Sequence, residues 1–323
     1  MRASRSATSS RSARLPALLG ALLALVLGCA RLGFVSRLGA GNVSQLSATQ
    51  RAVTDKVAHP YRTDARLAVL WVGHATVLLQ MDDKLILTDP VFTASVGQIS
   101  QRLVEPGLDL AALPAVDAVL ISHMHFDHLS VASLQQLESR MRGIVVPSGG
   151  MVYLPDSAVP AAELAPFESV EWDGLRITAA PVDHTGFRYG VDEGWMKHSF
   201  TGYVIEHRGQ TVYFGGDTAY DRKDFLATRR RFARIDLAIL PIAPIHPRDL
   251  MKRVHMDPTE AVQAFFDLGA ARMLPIHFDT FINSLDAPGE PEAVLRKVMA
   301  RRGLDERRLP ILRIGEQRVL TPR

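Results

Sequence analysis

Cysteine is nearly missing: Cys29 is the one cysteine in 323 residues. That excludes an intrachain disulfide and removes thiolates from any shared metal site. Acidic residues are missing from the first 28 positions, where Arg2, Arg5, Arg11 and Arg14 stand. Subtracting those four charges from the formal net charge of +3 leaves −1, so the rest of the chain has no basic surplus. A nucleic-acid enzyme would normally show a basic stripe, so nucleic acid is not expected as a partner. Residues 15–27 form an apolar run, but it falls short of the roughly 20 residues of a comfortable membrane span and suits a signal-peptide core. After residue 66 no stretch rich in Pro, Gly or Ser marks an internal boundary.

What is present begins at that N-terminus. Val26-Leu27-Gly28-Cys29 resembles a bacterial lipobox, which implies lipidation of Cys29. An uncleaved anchor and a simple secretory signal are the alternatives. Residues 1–28 are therefore read as a signal peptide or membrane anchor, 29–65 as a tether, and 66–323 as the folded body. The expected location is the bacterial cell envelope, with the body outside the cytoplasm and the membrane surface as a partner through the N-terminus. A hydrophobic content of 47% supplies a sizeable core.

The body reads as an α/β (α+β) chain. Short apolar runs predict strands over 67–72, 76–80, 85–88, 116–121, 143–147, 168–172, 175–180, 203–207, 211–214, 235–240 and 273–276, with closing strands around Ile311 and Val319. Asp82-Asp83, Asp173-Gly174 and Arg208-Gly209 read as hairpin turns. Ser130 can cap a helix carrying Leu134, Leu137 and Met141, and Asp257-Pro-Thr-Glu260 opens another. Residues 291–301 are expected to be helical. His59, His198, His207 and His246 read as surface or loop residues.

The chemistry concentrates in Ile121-Ser-His-Met-His-Phe-Asp-His-Leu-Ser130. His123 and His125, two apart at a strand end, project to one side, and Asp127 and His128 follow where the chain turns. Two adjacent ions suit that pattern better than one four-coordinate structural site. His184, Asp217 (after Gly215-Gly216) and His277 each follow a predicted strand as well.

That order resembles the metallo-β-lactamase superfamily of binuclear zinc hydrolases, which implies a four-layer αββα sandwich with the metals at one edge. The resemblance implies that His123, His125 and His184 hold one ion, that Asp127, His128 and His277 hold the other, and that Asp217 bridges them. Two Zn²⁺ are expected, with iron or manganese as substitutes. Within the superfamily, Trp71-Val-Gly-His-Ala-Thr-Val77, Thr88-Asp-Pro-Val-Phe92, Phe214-Gly-Gly-Asp-Thr-Ala-Tyr220 and Pro247-Arg-Asp-Leu-Met-Lys-Arg-Val-His-Met-Asp-Pro-Thr-Glu-Ala261 resemble the N-acyl-phosphatidylethanolamine-hydrolysing phospholipase D family. That places His255 beside the metals and implies hydrolysis of a phosphodiester in a phospholipid head group. Asp127 and His255 are the expected catalytic side chains, Asp127 orienting the nucleophile and His255 protonating the leaving oxygen. His74 is expected to support a ligand rather than to be one. A lactone or carboxyl-ester hydrolase of the same fold, acting on a small molecule, is the alternative activity. A catalytically silent, membrane-anchored binding protein is the alternative of another class.

Overall fold

The apolar alternation of the first strands sorts their side chains onto two faces. In the computed structural model, which describes residues 33–45, 49–97 and 100–323, residues 33–45 form helix α1. Strands β1 (Ala65–Gly73), β2 (Thr76–Met81) and β3 (Lys84–Thr88) then pair as successive antiparallel hairpins. Leu67, Val69 and Trp71 of β1 enter one core while Leu70 and Val72 enter a second. After a small hairpin of β4 (Ser95–Val96) and β5 (Ser100–Gln101), β6 (Ala118–Leu120), β7 (Ile144–Pro147) and β8 (Ala161–Leu164) extend the sheet in parallel from β3. The second sheet holds β9 (Ser169–Trp172), β10 (Leu175–Ala180), β11 (Gly202–His207), β12 (Gln210–Phe214), β13 (Leu237–Pro241) and β14 (Met273–Ile276). Strand β15 (Gln317–Pro322) returns to the first sheet, giving the orders β15-β1-β2-β3-β6-β7-β8 and β14-β13-β12-β11-β10-β9.

The facing sides of the two sheets share one core, in which Trp71, Ile86 and Leu120 meet Ile177, Tyr203 and Phe214. Helix α2 (Val131–Leu137) covers the outer face of the first sheet through Leu134 and Leu137. Between the sheets' strands come short helices α3 (Glu193–Met196) and α5 (Arg248–Met251) and the longer α4 (Arg222–Arg231), α6 (Pro258–Leu268) and α7 (Glu290–Arg302). Phe225 of α4, Phe265 of α6 and Leu295 of α7 complete the core on the second sheet. The layers are therefore helix, sheet, sheet, helix, as the resemblance implied. Helix α6 starts at a full capping box, Asp257 accepting from Glu260 N and Glu260 reaching back to Asp257 N.

Three expectations change. The apolar run at Ile311 and Leu312 is buried but joins no strand, because it fills the core without a ladder partner. Helix α2 stops at Leu137, and Met141 turns extended to pair with Val116. His207 is buried, its ring bonding Gly174 O at 2.8 Å and Asp83 Oδ1 at 2.9 Å, so it ties two hairpin turns together. The stretch read as a tether also makes defined contacts where it is described. Asn42 bridges Gln101 N and Ile282 O, Lys56 pairs with Glu105 and Asp109, and Gln80 holds both backbone groups of Arg62. Cys29 and the expected signal or anchor lie outside the described residues. Among the described residues, no helix is long and apolar enough to cross a membrane.

Candidate metal centre

Strands β1, β3 and β6 run in one direction in their sheet, as do β10, β12 and β14 in theirs, so their C-terminal ends gather at one edge. Loops leaving such an edge can converge side chains that are distant in sequence. His74 leaves β1, residues 122–128 leave β6, His184 follows β10, Asp217 follows β12 and His277 follows β14. Gly216 makes the approach possible: its φ is 56°, and a Cβ there would stand 2.3 Å from the Ser122 Cβ. Gly215-Gly216 thus lets Asp217 press against the first metal loop.

The side chains fall into two groups that share an edge. His123, His125 and His184 form one, and Asp127, His128 and His277 stand together with His74 in the other. His123 Nε2 lies 2.8 Å and His184 Nε2 3.4 Å from His125 Nδ1. Asp217 Oδ2 stands between the groups, 3.2 Å from His128 Nε2, 3.0 Å from His277 Nε2 and 4.0 Å from His184 Nε2. All seven residues expected as ligands are thus brought into one cluster, with Asp217 between the two groups.

The donor set fits divalent ions. Burial, with the neighbouring His128 and His184, holds the His123 ring well below its usual pKa, and burial does the same to His184. These rings are neutral, the form that binds metal. Burial pushes the Asp217 carboxyl up, but the His277, His128 and His255 rings outweigh it and hold the group well below the carboxylate range. His128 is the exception, since Asp217, Asp127 and Asp89 overcome burial and raise it. Asp89, Asp127 and Asp217 thus converge on the His128 ring, 2.7, 3.8 and 3.2 Å from its nitrogens, a surrounding that favours a cation. Asp217 Oδ1 is buried without a hydrogen-bond partner, as a carboxylate oxygen reserved for an ion would be.

Supporting bonds orient the rings. His128 Nδ1 lies 2.7 Å from Asp89 Oδ2, and Asp89 also accepts from Ser122 N and Ser122 Oγ. His184 Nδ1 donates to Val254 O at 2.8 Å. Such outer partners fix the tautomer and aim the free nitrogen. His74 Nε2 lies 3.0 Å from Asp127 Oδ2, and burial holds its pKa down at about 3, so the neutral ring braces that carboxylate. Asp89 carried no expected role of its own, although Thr88-Asp-Pro was part of the resemblance. Arg188 carried no signal, yet its buried guanidinium donates to Met124 O and Leu129 O, both at 2.8 Å, and covers Phe126.

His255 completes the centre. Its ring sits 5.3 Å from His184 and 5.5 Å from His277, with Nδ1 3.5 Å from Asp217 Oδ2 and without a hydrogen bond. Burial lowers its pKa to about 4. A cavity of about 300 Å³ lies behind His74 and His277, lined by Leu103, Phe278, Phe281 and Ile282 among others. Of the remaining histidines, His246 is half-exposed and pairs with Glu290, while His59 and His198 are exposed.

Residues 84–278 match the family described as the beta-lactamase superfamily domain. An uncharacterized protein of Mycobacterium tuberculosis is 37% identical over 265 residues, covering 77% of this chain and 69% of that one. The N-acyl-phosphatidylethanolamine-hydrolyzing phospholipase D 1 of Caenorhabditis elegans is 29% identical over 282 residues, 80% of this chain and 77% of that one. The isothiocyanate hydrolase from Delia radicum gut bacteria superposes with a TM-score of 0.60 at 21% identity, covering 79% of this chain and 99% of that one. With its two facing sheets and its His/Asp cluster at their common edge, the chain belongs to the metallo-β-lactamase superfamily of metal-dependent hydrolases.

Proposed function

We propose that this protein is a phospholipase D-type phosphodiesterase acting on N-acyl-phosphatidylethanolamine-like lipids at the bacterial cell envelope. The observation that carries it is His255, a half-buried imidazole whose buried Nδ1 is free beside Asp217 and which neither ligand group requires. The likeness to the nematode phospholipase supports the substrate class. His123, His125 and His184 would hold one Zn²⁺, Asp127, His128 and His277 the other, and Asp217 both, with iron or manganese as substitutes. Such a pair supplies Lewis acidity and a water of lowered pKa. Asp127, braced by His74, orients the attacking water and accepts its hydrogen bond. His255, neutral because burial lowers its pKa to about 4, would take up the proton that the attacking water gives up and pass it to the oxygen of the departing alcohol. Asp89, through His128, keeps the cluster aimed while charge shifts during the reaction.

The test is a substrate panel with metal analysis on the same preparation. The purified chain should carry close to two equivalents of metal per chain and cleave an N-acyl phospholipid between phosphate and ethanolamine, releasing phosphatidic acid. Turnover of simple lactones with the phospholipid untouched would replace this reading by the carboxyl-ester one. Full metal content with no turnover on any member would favour a silent binding protein.

A further inference from the structure

An apolar surface adjoins the metal centre, and among the described residues nothing packs on it. Val191 is 83% exposed, Trp195 71%, Val152 68%, Tyr189 58% and Met151 40%. Left in water, each forgoes part of the roughly 1.5–3 kcal/mol that burying such a side chain provides. These residues come from two segments that are locked together. Tyr153 Oη donates to Asp192 Oδ2 at 2.6 Å, and the Tyr153 and Tyr189 rings stand 5.7 Å apart. Tyr189 in turn meets Phe126 edge-on at 5.5 Å, and Phe126 lies between His125 and Asp127. With Arg188 bonded to both ends of the metal loop, the surface is fixed relative to the centre.

Charge and chain path identify what covers it. Across residues 186–200, Arg188 and Lys197 cancel Asp192 and Glu193, so the segment has no net charge, and Glu193 is the one exposed acid between Val191 and Trp195. Trp and Tyr on a segment without net charge favour the membrane–water interface. On the His184 side of the centre, Lys252 and Arg253 are exposed just before Val254, whose carbonyl holds His184, and such cations suit lipid phosphates. The chain's own N-terminal direction agrees. Five residues separate the apolar run 15–27 from the start of α1 at residue 33, a chain reach of at most about 20 Å. Helix α1 is bonded through Asn42 to the β4–β5 hairpin, and Gly97 in the turn of that hairpin lies against Phe126. Val35 and Val43 of α1 are themselves 62% and 66% exposed.

We propose that Tyr189, Val191 and Trp195, with Met151 and Val152, form a lipid-docking face that enters the interfacial layer of a bilayer and presents the metal centre to the head groups. The proposal rests on the lipid reading above, but docking needs no turnover, so the two can fail separately. Trp71 and Trp172 pack in the core, which leaves Trp195 as the reporter. The full-length chain is mixed with vesicles of phosphatidylcholine and a minor share of phosphatidylglycerol, with and without brominated acyl chains. The expected result is a blue shift of tryptophan emission and quenching by the brominated chains, both lost in Trp195→Ala. Val191→Glu keeps the fluorophore and should cut the quenching several-fold, whether or not the chain still sediments with the vesicles. Unchanged emission with vesicles would overturn the proposal, as would a blue shift that appears on concentrating the protein without lipid, since a second copy would then cover the face. Quenching in a protein that cleaves no phospholipid would leave the docking face standing and remove the substrate reading. Cleavage in detergent without quenching on vesicles would do the reverse.

Discussion

Two imidazoles of the centre, His255 and His277, bury an Nδ1 without a hydrogen bond, but His277 belongs to a ligand group and His255 to neither. His128 and His184 spend one nitrogen on Asp89 and Val254 and aim the other at the cluster, whereas His255 Nδ1 is buried with no bond. Because neither ligand group needs it, His255→Ala should leave metal content and the unfolding midpoint close to those of the parent. If it protonates the leaving alcohol, turnover of the phospholipid should fall by about 10²–10⁴-fold, the usual scale for one acid–base group. A nitrophenyl diester departs with little need of a proton, so the same change should cost far less there. Steady-state rates on both substrates decide it. Equal losses would make His255 a substrate-positioning residue, and no loss on either would leave it a packed core histidine.

At the scale of elements, the loop from Gly186 to Phe200 is held to the metal loop by Arg188, whose guanidinium satisfies two buried carbonyls. Removing one partner of a buried hydrogen bond leaves the other unpaired. Arg188→Ala should therefore lower stability by about 2–3 kcal/mol in a denaturant titration, and Arg188→Lys, which loses the planar guanidinium stacked over Phe126, should recover only part of it. A change under about 0.5 kcal/mol, the ordinary range for a surface substitution, would show that the clamp contributes nothing. That loop also marks where sequence reading ends. Strand ends bearing His123, His184, Asp217 and His277 were legible because periodicity located the strands and the resemblance ordered the ligands. Ser130 and Asp257 were legible because capping is local. Arg188, Asp89 and His207 act on partners set by tertiary contact, some 33 to 124 residues away, and no local pattern announces such pairings. The Ile311 run failed for the converse reason: apolarity predicts burial, and only a neighbouring strand turns burial into a ladder.

Across the whole molecule, the cluster draws on both sheets. His123, His125, Asp127 and His128 leave the first, while His184, Asp217 and His277 leave the second. Ions held there would tie the sheets together at the open edge of their shared core, where loops rather than strands meet. A ligand that binds only the folded chain stabilises it by mass action, about 4 kcal/mol at a thousand times its dissociation constant. In a chain of this size each kcal/mol is worth roughly 2–4 °C, so stripping the metal with a chelator should lower the thermal midpoint by on the order of 10 °C. Zinc added back should restore both the midpoint and the activity, and Asp217→Ala should show the low midpoint with or without added zinc. Differential scanning calorimetry on parent and variant measures the midpoints, and a hydrolysis assay on the same samples measures the activity. A midpoint indifferent to chelation, in a protein whose activity is abolished by it, would mean that the two sheets hold their edge without the ions and that the metals serve the chemistry alone.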